Sequence, residues 1–398
     1  MNKTFTQHNF KKNKRKNLLD SVFALITKNS AGFRATATLV GTTIGAGIFG
    51  IPFVVSRIGF WAGIFYLLVL GFLVLLLNLI YGEIILRTPG DHQLTGYSKI
   101  YLGKWGKNLA TISLFINLYG ALLAYLIKIG EFSTLIAGRG NPLMFSLFFF
   151  ILATIAIFFG LKTVSFFEGL IIFFLLGLIV LIAFLGFQRI EPANFSGINL
   201  SFLFLPYGVI LFALTGSSII PEMEEILRKE PQNLKKSIII GSLIPLFVYL
   251  LFTVLIVGIC GPFTSDDAIS NLPFFLPAWV VNLGALLGIL SMGSSYLSLG
   301  YVLREIWFRD FRLPKSLAFV LACFPSLIFF MFGAKSFISV LGISGAVAGG
   351  LSGILIVSIF ERSRRKGERL PAYSLRIPRV LLFILFLIFF IGMVSPFL

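Results

Sequence analysis

The chain has 398 residues, of which 57% are hydrophobic and 12% charged, and its formal net charge is +17 at pH 7. A water-soluble domain carries about 25% charged residues, so a soluble globule is excluded, while 15% aromatics exclude a disordered chain and two cysteines a disulfide scaffold. What remains is an all-α polytopic membrane protein whose basic residues belong to cytoplasmic loops, with membrane lipid and no nucleic acid as its surroundings.

Residues 1–33 read as a basic cytoplasmic tail, with Lys11, Lys12, Lys14, Arg15 and Lys16 clustered. No short apolar core with a small-residue cleavage site precedes the first span, so the tail is not read as a signal peptide. Attraction to anionic lipid is its alternative role. Apolar runs long enough to cross about 30 Å of hydrocarbon then follow at 34–56, 60–86, 108–137, 143–160, 165–186, 202–226, 237–260, 278–306, 316–332, 336–360 and 379–397. The runs are continuous rather than alternating, which argues against a β-barrel. With the N-terminus inside, 28 of the 33 basic residues fall on cytoplasmic segments. Arg57, Arg139, Arg189 and Lys335 fall outside and Lys128 within a span. The bias places the N-terminus in the cytoplasm, with the cell (inner) membrane as the expected location.

Two spans carry helix breakers at mid-depth. Span one contains Gly41-Thr42-Thr43-Ile44-Gly45-Ala46-Gly47-Ile48-Phe49-Gly50-Ile51-Pro52, and span six contains Phe212-Ala213-Leu214-Thr215-Gly216-Ser217-Ser218-Ile219-Ile220-Pro221. Close helix packing through glycine explains one such segment as well as an unwound helix does. Two of them, five spans apart, point to inverted five-span repeats with a binding site at the midplane. The repeats are set at 34–186 and 202–360, with 379–397 as an extra helix and 34–397 as one transporter domain. Unwinding near Gly45–Gly47 and Thr215–Ser217 frees the Ala46, Gly47 and Ile48 amides at a helix N-terminus, where a carboxylate is favoured. It also frees the carbonyls of Thr43 and of Ala213, Leu214 and Thr215, which accept from an ammonium. A zwitterionic α-amino acid carries that pair of groups. The same reading predicts that Gly47→Leu removes the carboxylate site and leaves a folded protein.

At these residues the sequence resembles the amino acid permeases of the amino acid–polyamine–organocation superfamily. GTTIGAGIFGIP resembles the glycine-rich break of the superfamily's first span. The eleven spans, Leu205–Glu225 and Asn117–Leu126 resemble its hydroxy and aromatic amino acid permease branch. The resemblance implies a LeuT-type fold of five plus five inverted helices and one more. It implies a substrate site of Thr43, Gly45, Ala46, Gly47, Ile48, Ala213, Leu214, Thr215 and Gly216, with Phe212 as an aromatic lid. A span-three contact falls on Tyr119 or Tyr125. A sodium site would map to Gly41, Ile44, Ser294 and Ser295, where small-residue packing is an equal explanation. Ile48 stands where some sodium-coupled relatives supply a side-chain amide.

Among the remaining charges, Lys128 and Glu131 share a helical face and are expected to pair, with a gate or proton-linked group as the sharper reading. Glu83 and Arg87 are expected to pair at an inner interface, and Glu168 to sit near Lys162. Glu222, Glu224 and Glu225 are expected to anchor the inner half of span six beside Arg228 and Lys229. No phosphate-binding loop, metal-ligand spacing or catalytic set is present, so the chain is not expected to be an enzyme or to carry a cofactor other than a coupling sodium ion or proton. The expected function is proton- or sodium-coupled import of an amino acid by alternating access. The alternatives are a permease for another small amine or a nucleobase, and a non-transporting receptor of the same fold.

Overall fold

The computed structural model describes residues 31–159, 165–334 and 336–397. The basic tail up to residue 30, Lys162, the side chain of Glu168, and Lys335 lie outside the described residues. Among the described residues the structure is helical, with no strand.

Each apolar run of the sequence has a helical counterpart. Span one is α1 (Ala31–Thr43) and α2 (Gly47–Ile58); spans two to five are α3 (Phe60–Arg87), α4 (Leu94–Ala137), α5 (Pro142–Phe159) and α6 (Ser165–Gly186). Span six is α7 (Leu205–Leu214) and α8 (Ile220–Ile226); spans seven to nine are α9 (Leu234–Cys260), α10 (Ala278–Glu305) and α11 (Lys315–Met331). Span ten is α12 (Phe337–Ser344) and α13 (Gly350–Lys366), and span eleven is α14 (Arg379–Val394). Eight helices among the described residues are long and apolar enough to cross a membrane, or nine with the bent pair α1–α2 as one span; two shorter apolar helices add to these.

Two spans differ from their expected outlines. α4 begins fourteen residues before the predicted start of its span, because a short helix abuts the span at Gly103, whose φ of 78° marks a kink that glycine takes at no steric cost. The segment before that kink lays Tyr97 and Tyr101 inward and leaves Lys99 outward, the pattern of a short interfacial helix. Span ten is interrupted by a π-helical turn at Gly345–Gly349, a distortion that tends to mark functional positions.

The core runs through the centre of the bundle, where α2, α7 and α9 bring Ile51, Val209 and Tyr249 together as fully buried residues. Large apolar side chains such as Phe72, Phe184 and Phe247 stand exposed on the outside. In water such a surface would aggregate; against lipid tails it costs nothing.

Candidate functional site

The break in span one is a real turn. Helical geometry stops at Thr43 and resumes at Gly47, and the two halves meet at 57°. The Ile48 amide donates to the Gly45 carbonyl at 3.3 Å and the Phe49 amide to the Ala46 carbonyl at 3.1 Å. Ile48 is therefore not a free donor as the sequence suggested, because the chain tightens into a short turn at the start of α2. The Ala46 and Gly47 amides have no acceptor among the described residues. They are two unpaired donors at a helix N-terminus, a place that favours an anion. A Cβ on Gly45 would meet nothing within 4 Å, so the backbone here borders open space.

Span six breaks in the same way. α7 ends at Leu214, Thr215 and Gly216 leave the helix, and a 3₁₀ turn over Ser217–Ile219 leads into α8. Pro221 sits in the first turn of α8, where its missing N–H is harmless. The Thr43 and Thr215 hydroxyls turn back onto the Leu39 and Leu211 carbonyls at 2.8 and 2.6 Å. Their protons are thus used within their own helices, so toward a ligand these hydroxyls, like the backbone carbonyls, can only accept.

The two breaks interlock through reciprocal glycines. A Cβ on Gly47 would lie 2.5 Å from both Cα and Cβ of Ala213, and one on Gly216 would lie 2.5 Å from the Thr43 Oγ1. Gly47 therefore does more than leave room for a carboxylate: it lets α2 touch α7, so the expectation that Gly47→Leu leaves the fold intact does not hold. Tyr249, wholly buried in the middle of α9, closes the arrangement. Its hydroxyl lies 2.6 Å from the Thr43 carbonyl oxygen and 3.0 Å from that of Ala213. Two carbonyls expected to hold an amine thus converge on one point from two different broken helices.

The remaining predicted residues divide. Phe212 is half-buried at the end of α7, packed where a Cβ on Gly345 of the π turn would lie 2.7 Å from its own Cβ. Tyr119 does not join the breaks. Its hydroxyl donates to the Leu321 carbonyl at 2.6 Å and accepts from the Trp307 indole at 2.9 Å, in a cluster where Phe115 stacks on Trp307. Tyr125, buried on the same span, lies near Tyr249. Gly41 lies inside α1 and Ile44 in the turn, while the Ser294 hydroxyl donates to the Ser291 carbonyl at 2.9 Å. Spans one and eight meet at Phe49 and Gly288, where an added Cβ would be 3.5 Å from the Phe49 ring.

Lys128 pairs with Glu131 as expected, but two further carboxylates from the loop after α9 join them. Asp266 lies 3.2 Å and Asp267 3.6 Å from the ammonium, and the Phe337 ring is 4.9 Å away. Burial alone would raise the Asp267 carboxyl; Lys128 and hydrogen bonds from Ser270 and Ser265 override it and hold the group below the usual carboxylate range. The Glu83–Arg87 pair forms at 2.7 Å, and Glu83 also accepts from the Leu375 amide at 2.6 Å. Arg228 pairs with Asp91 at 2.7 Å instead of with the nearby glutamates. These two groups help to line a cleft of about 290 Å³ with Thr88, Glu224 and Arg369.

Sequence reasoning missed Tyr249, the Asp266–Asp267 contribution, and Gly208, Gly345 and Gly349, which let α7 lie against span ten. The four-residue spacing of Gly345 and Gly349 was a visible packing signal. It also missed Asn78, whose Oδ1 is buried with no partner among the described residues, beside a small cavity at Thr215, Gly216 and Ser217.

Comparison with known proteins gives four findings. The sequence pattern of the Tryptophan/tyrosine permease family matches residues 28–396. The chain is similar to the tyrosine-specific transport system 1 of Haemophilus influenzae, 26% identical over 359 residues that cover 85% of this chain and 89% of that protein. It is also similar to the low affinity tryptophan permease of Proteus vulgaris, 25% identical over 345 residues, 78% of this chain and 81% of that one. Among solved structures, MhsT in complex with L-phenylalanine superposes with a TM-score of 0.60 at 15% identity, over 91% of this chain and 97% of that chain.

Proposed function

Because the chain belongs to the tryptophan/tyrosine permease family, we propose that it imports an aromatic α-amino acid across the cell membrane by alternating access. It is an integral membrane protein and a secondary amino acid transporter with the LeuT-type fold. The reading rests on one observation above the others: unpaired Ala46 and Gly47 amides and converging Thr43 and Ala213 carbonyls lie at two interlocked helix breaks. The amides suit a carboxylate and the carbonyls an ammonium, so the main chain reads what all amino acids share. Phe212 and Tyr125 then supply aromatic surface for the side chain. In this reading residues 34–186 and 202–360 are the two repeats, 379–397 is an added helix, and the N-terminus is cytoplasmic.

The driving gradient is of protons or sodium. For sodium, Ser294 and Ser295 lie six and seven residues beyond Gly288, about 9–10 Å further along the helix. Gly41 and Ile44 lie eight and five residues before Phe49, which meets Gly288, and in this reading they complete the sodium site. The test is uptake of labelled L-tyrosine and L-tryptophan by purified protein in liposomes, with proton and sodium gradients imposed separately. Accumulation under one inward gradient is expected. Binding without accumulation under either gradient would make the protein a receptor.

A further inference from the structure

We propose that the Tyr249 hydroxyl is an internal stand-in for the substrate ammonium, occupying its two carbonyls in the empty transporter and leaving them when substrate arrives. The inference rests on the transporter reading above and adds to it a residue that sets selectivity for the amine.

The geometry carries it. The hydroxyl oxygen sits 2.6 Å from the Thr43 carbonyl oxygen and 3.0 Å from the Ala213 carbonyl oxygen. An ammonium nitrogen bound to the same pair needs distances of about 2.7–3.2 Å, and in this proposal it takes the place that the hydroxyl holds. The carbonyls come from opposite sides of the site, one ending α1 and the other in the last turn of α7. Held by one hydroxyl, the two breaks stay drawn together and neither carbonyl is stranded in an apolar interior. A hydroxyl has one proton, however, and two acceptors must share it. An ammonium brings three N–H donors and a full charge, and its hydrogen bonds are roughly twice as strong as neutral ones. The exchange therefore runs in favour of an amine. A ligand that lacks one has no means of displacing the hydroxyl.

Tyr249 is fully buried, with Tyr125 near it. The phenol therefore couples occupancy at the amine position to α9, a helix of the second repeat packed against both halves of span one.

Calorimetric titration of purified Tyr249→Phe with L-tryptophan and with indole-3-propionate, the same molecule without its amine, tests this. Loss of the competing hydrogen bond should tighten L-tryptophan binding about two- to tenfold and leave indole-3-propionate unchanged. Unchanged or weaker L-tryptophan binding overturns the proposal, the latter by making the hydroxyl a ligand of the amine. An equal gain for both ligands also overturns it, since the amine would then be irrelevant. If Tyr249→Phe does not fold, 3-fluorotyrosine placed at position 249 in the otherwise unaltered chain gives a second readout. Its fluorine signal should shift with L-tryptophan and not with indole-3-propionate; no shift with L-tryptophan refutes the exchange. Failure of the unaltered protein to bind any aromatic amino acid would instead remove the transport reading itself.

Discussion

Gly47→Ala should damage this protein more than Gly216→Ala, although both put a single methyl group into the same interlock. The methyl at Gly47 would stand 2.5 Å from Cα and Cβ of Ala213. Ordinary carbon–carbon contact lies near 3.5–4.0 Å, so α2 and α7 must separate by about 1 Å or one of them must bend. Half of that clash is with backbone and cannot be relieved by a rotamer change. The methyl at Gly216 meets the Thr43 hydroxyl at 2.5 Å and the Leu39 Cδ1 at 2.8 Å, both ends of side chains that can turn. Overpacking of this kind costs about 1–3 kcal/mol, and Gly47→Ala belongs at the upper end and Gly216→Ala at the lower. Thermal unfolding of the detergent-purified variants measures the order. Adding Ala213→Gly to Gly47→Ala removes the Cβ clash and leaves the Cα clash, so the pair should recover only part of the loss. Equal stability of the two single variants, or full recovery in the double variant, would refute the interlock.

Lys128→Met should destabilise the protein by about 3 kcal/mol, the lower end of the cost of breaking a buried pair, since Asp267 keeps its bonds from Ser265 and Ser270; a neutral effect in thermal unfolding would contradict this. The Asp267 carboxyl is held below its unfolded value of about 3.9, so its stabilisation is complete above that pH and fades as pH falls through the native value. The stability gap between the unaltered chain and Asp267→Asn should therefore narrow on acidification below about pH 4, and a gap that widens would reverse the sign. Tyr125→Phe should change L-tyrosine affinity severalfold while Tyr119→Phe leaves it within twofold, as read by titration; the opposite order would return the span-three contact to Tyr119. If sodium drives uptake, Ser294→Ala with Ser295→Ala should abolish the sodium dependence, and unaltered dependence in the double variant would move the ion elsewhere.

Much of the architecture was legible because hydrocarbon demands long apolar helices with internally satisfied backbones. A break in such a helix then shows in the sequence as glycine and proline where they cost most. That is why both breaks were legible to within a residue or two. What lay beyond reach were contacts between distant segments. Nothing around Tyr249 distinguishes it from other aromatics of the chain, yet a buried phenol must find a partner, and the two carbonyls it meets are 206 and 36 residues away. Asp266 and Asp267 read as loop residues because their cation is on another span. Ile48 was misread for a local reason: the turn spends its amide on Gly45.

The most direct measurement is a structure of the protein with L-tryptophan or L-tyrosine bound. The carboxylate is predicted on the Ala46 and Gly47 amides, the ammonium on the Thr43 and Ala213 carbonyls, and the Tyr249 hydroxyl withdrawn from both. An amino acid seated in the cleft of Asp91, Glu224 and Arg228, with the two breaks still bridged by Tyr249, would contradict it.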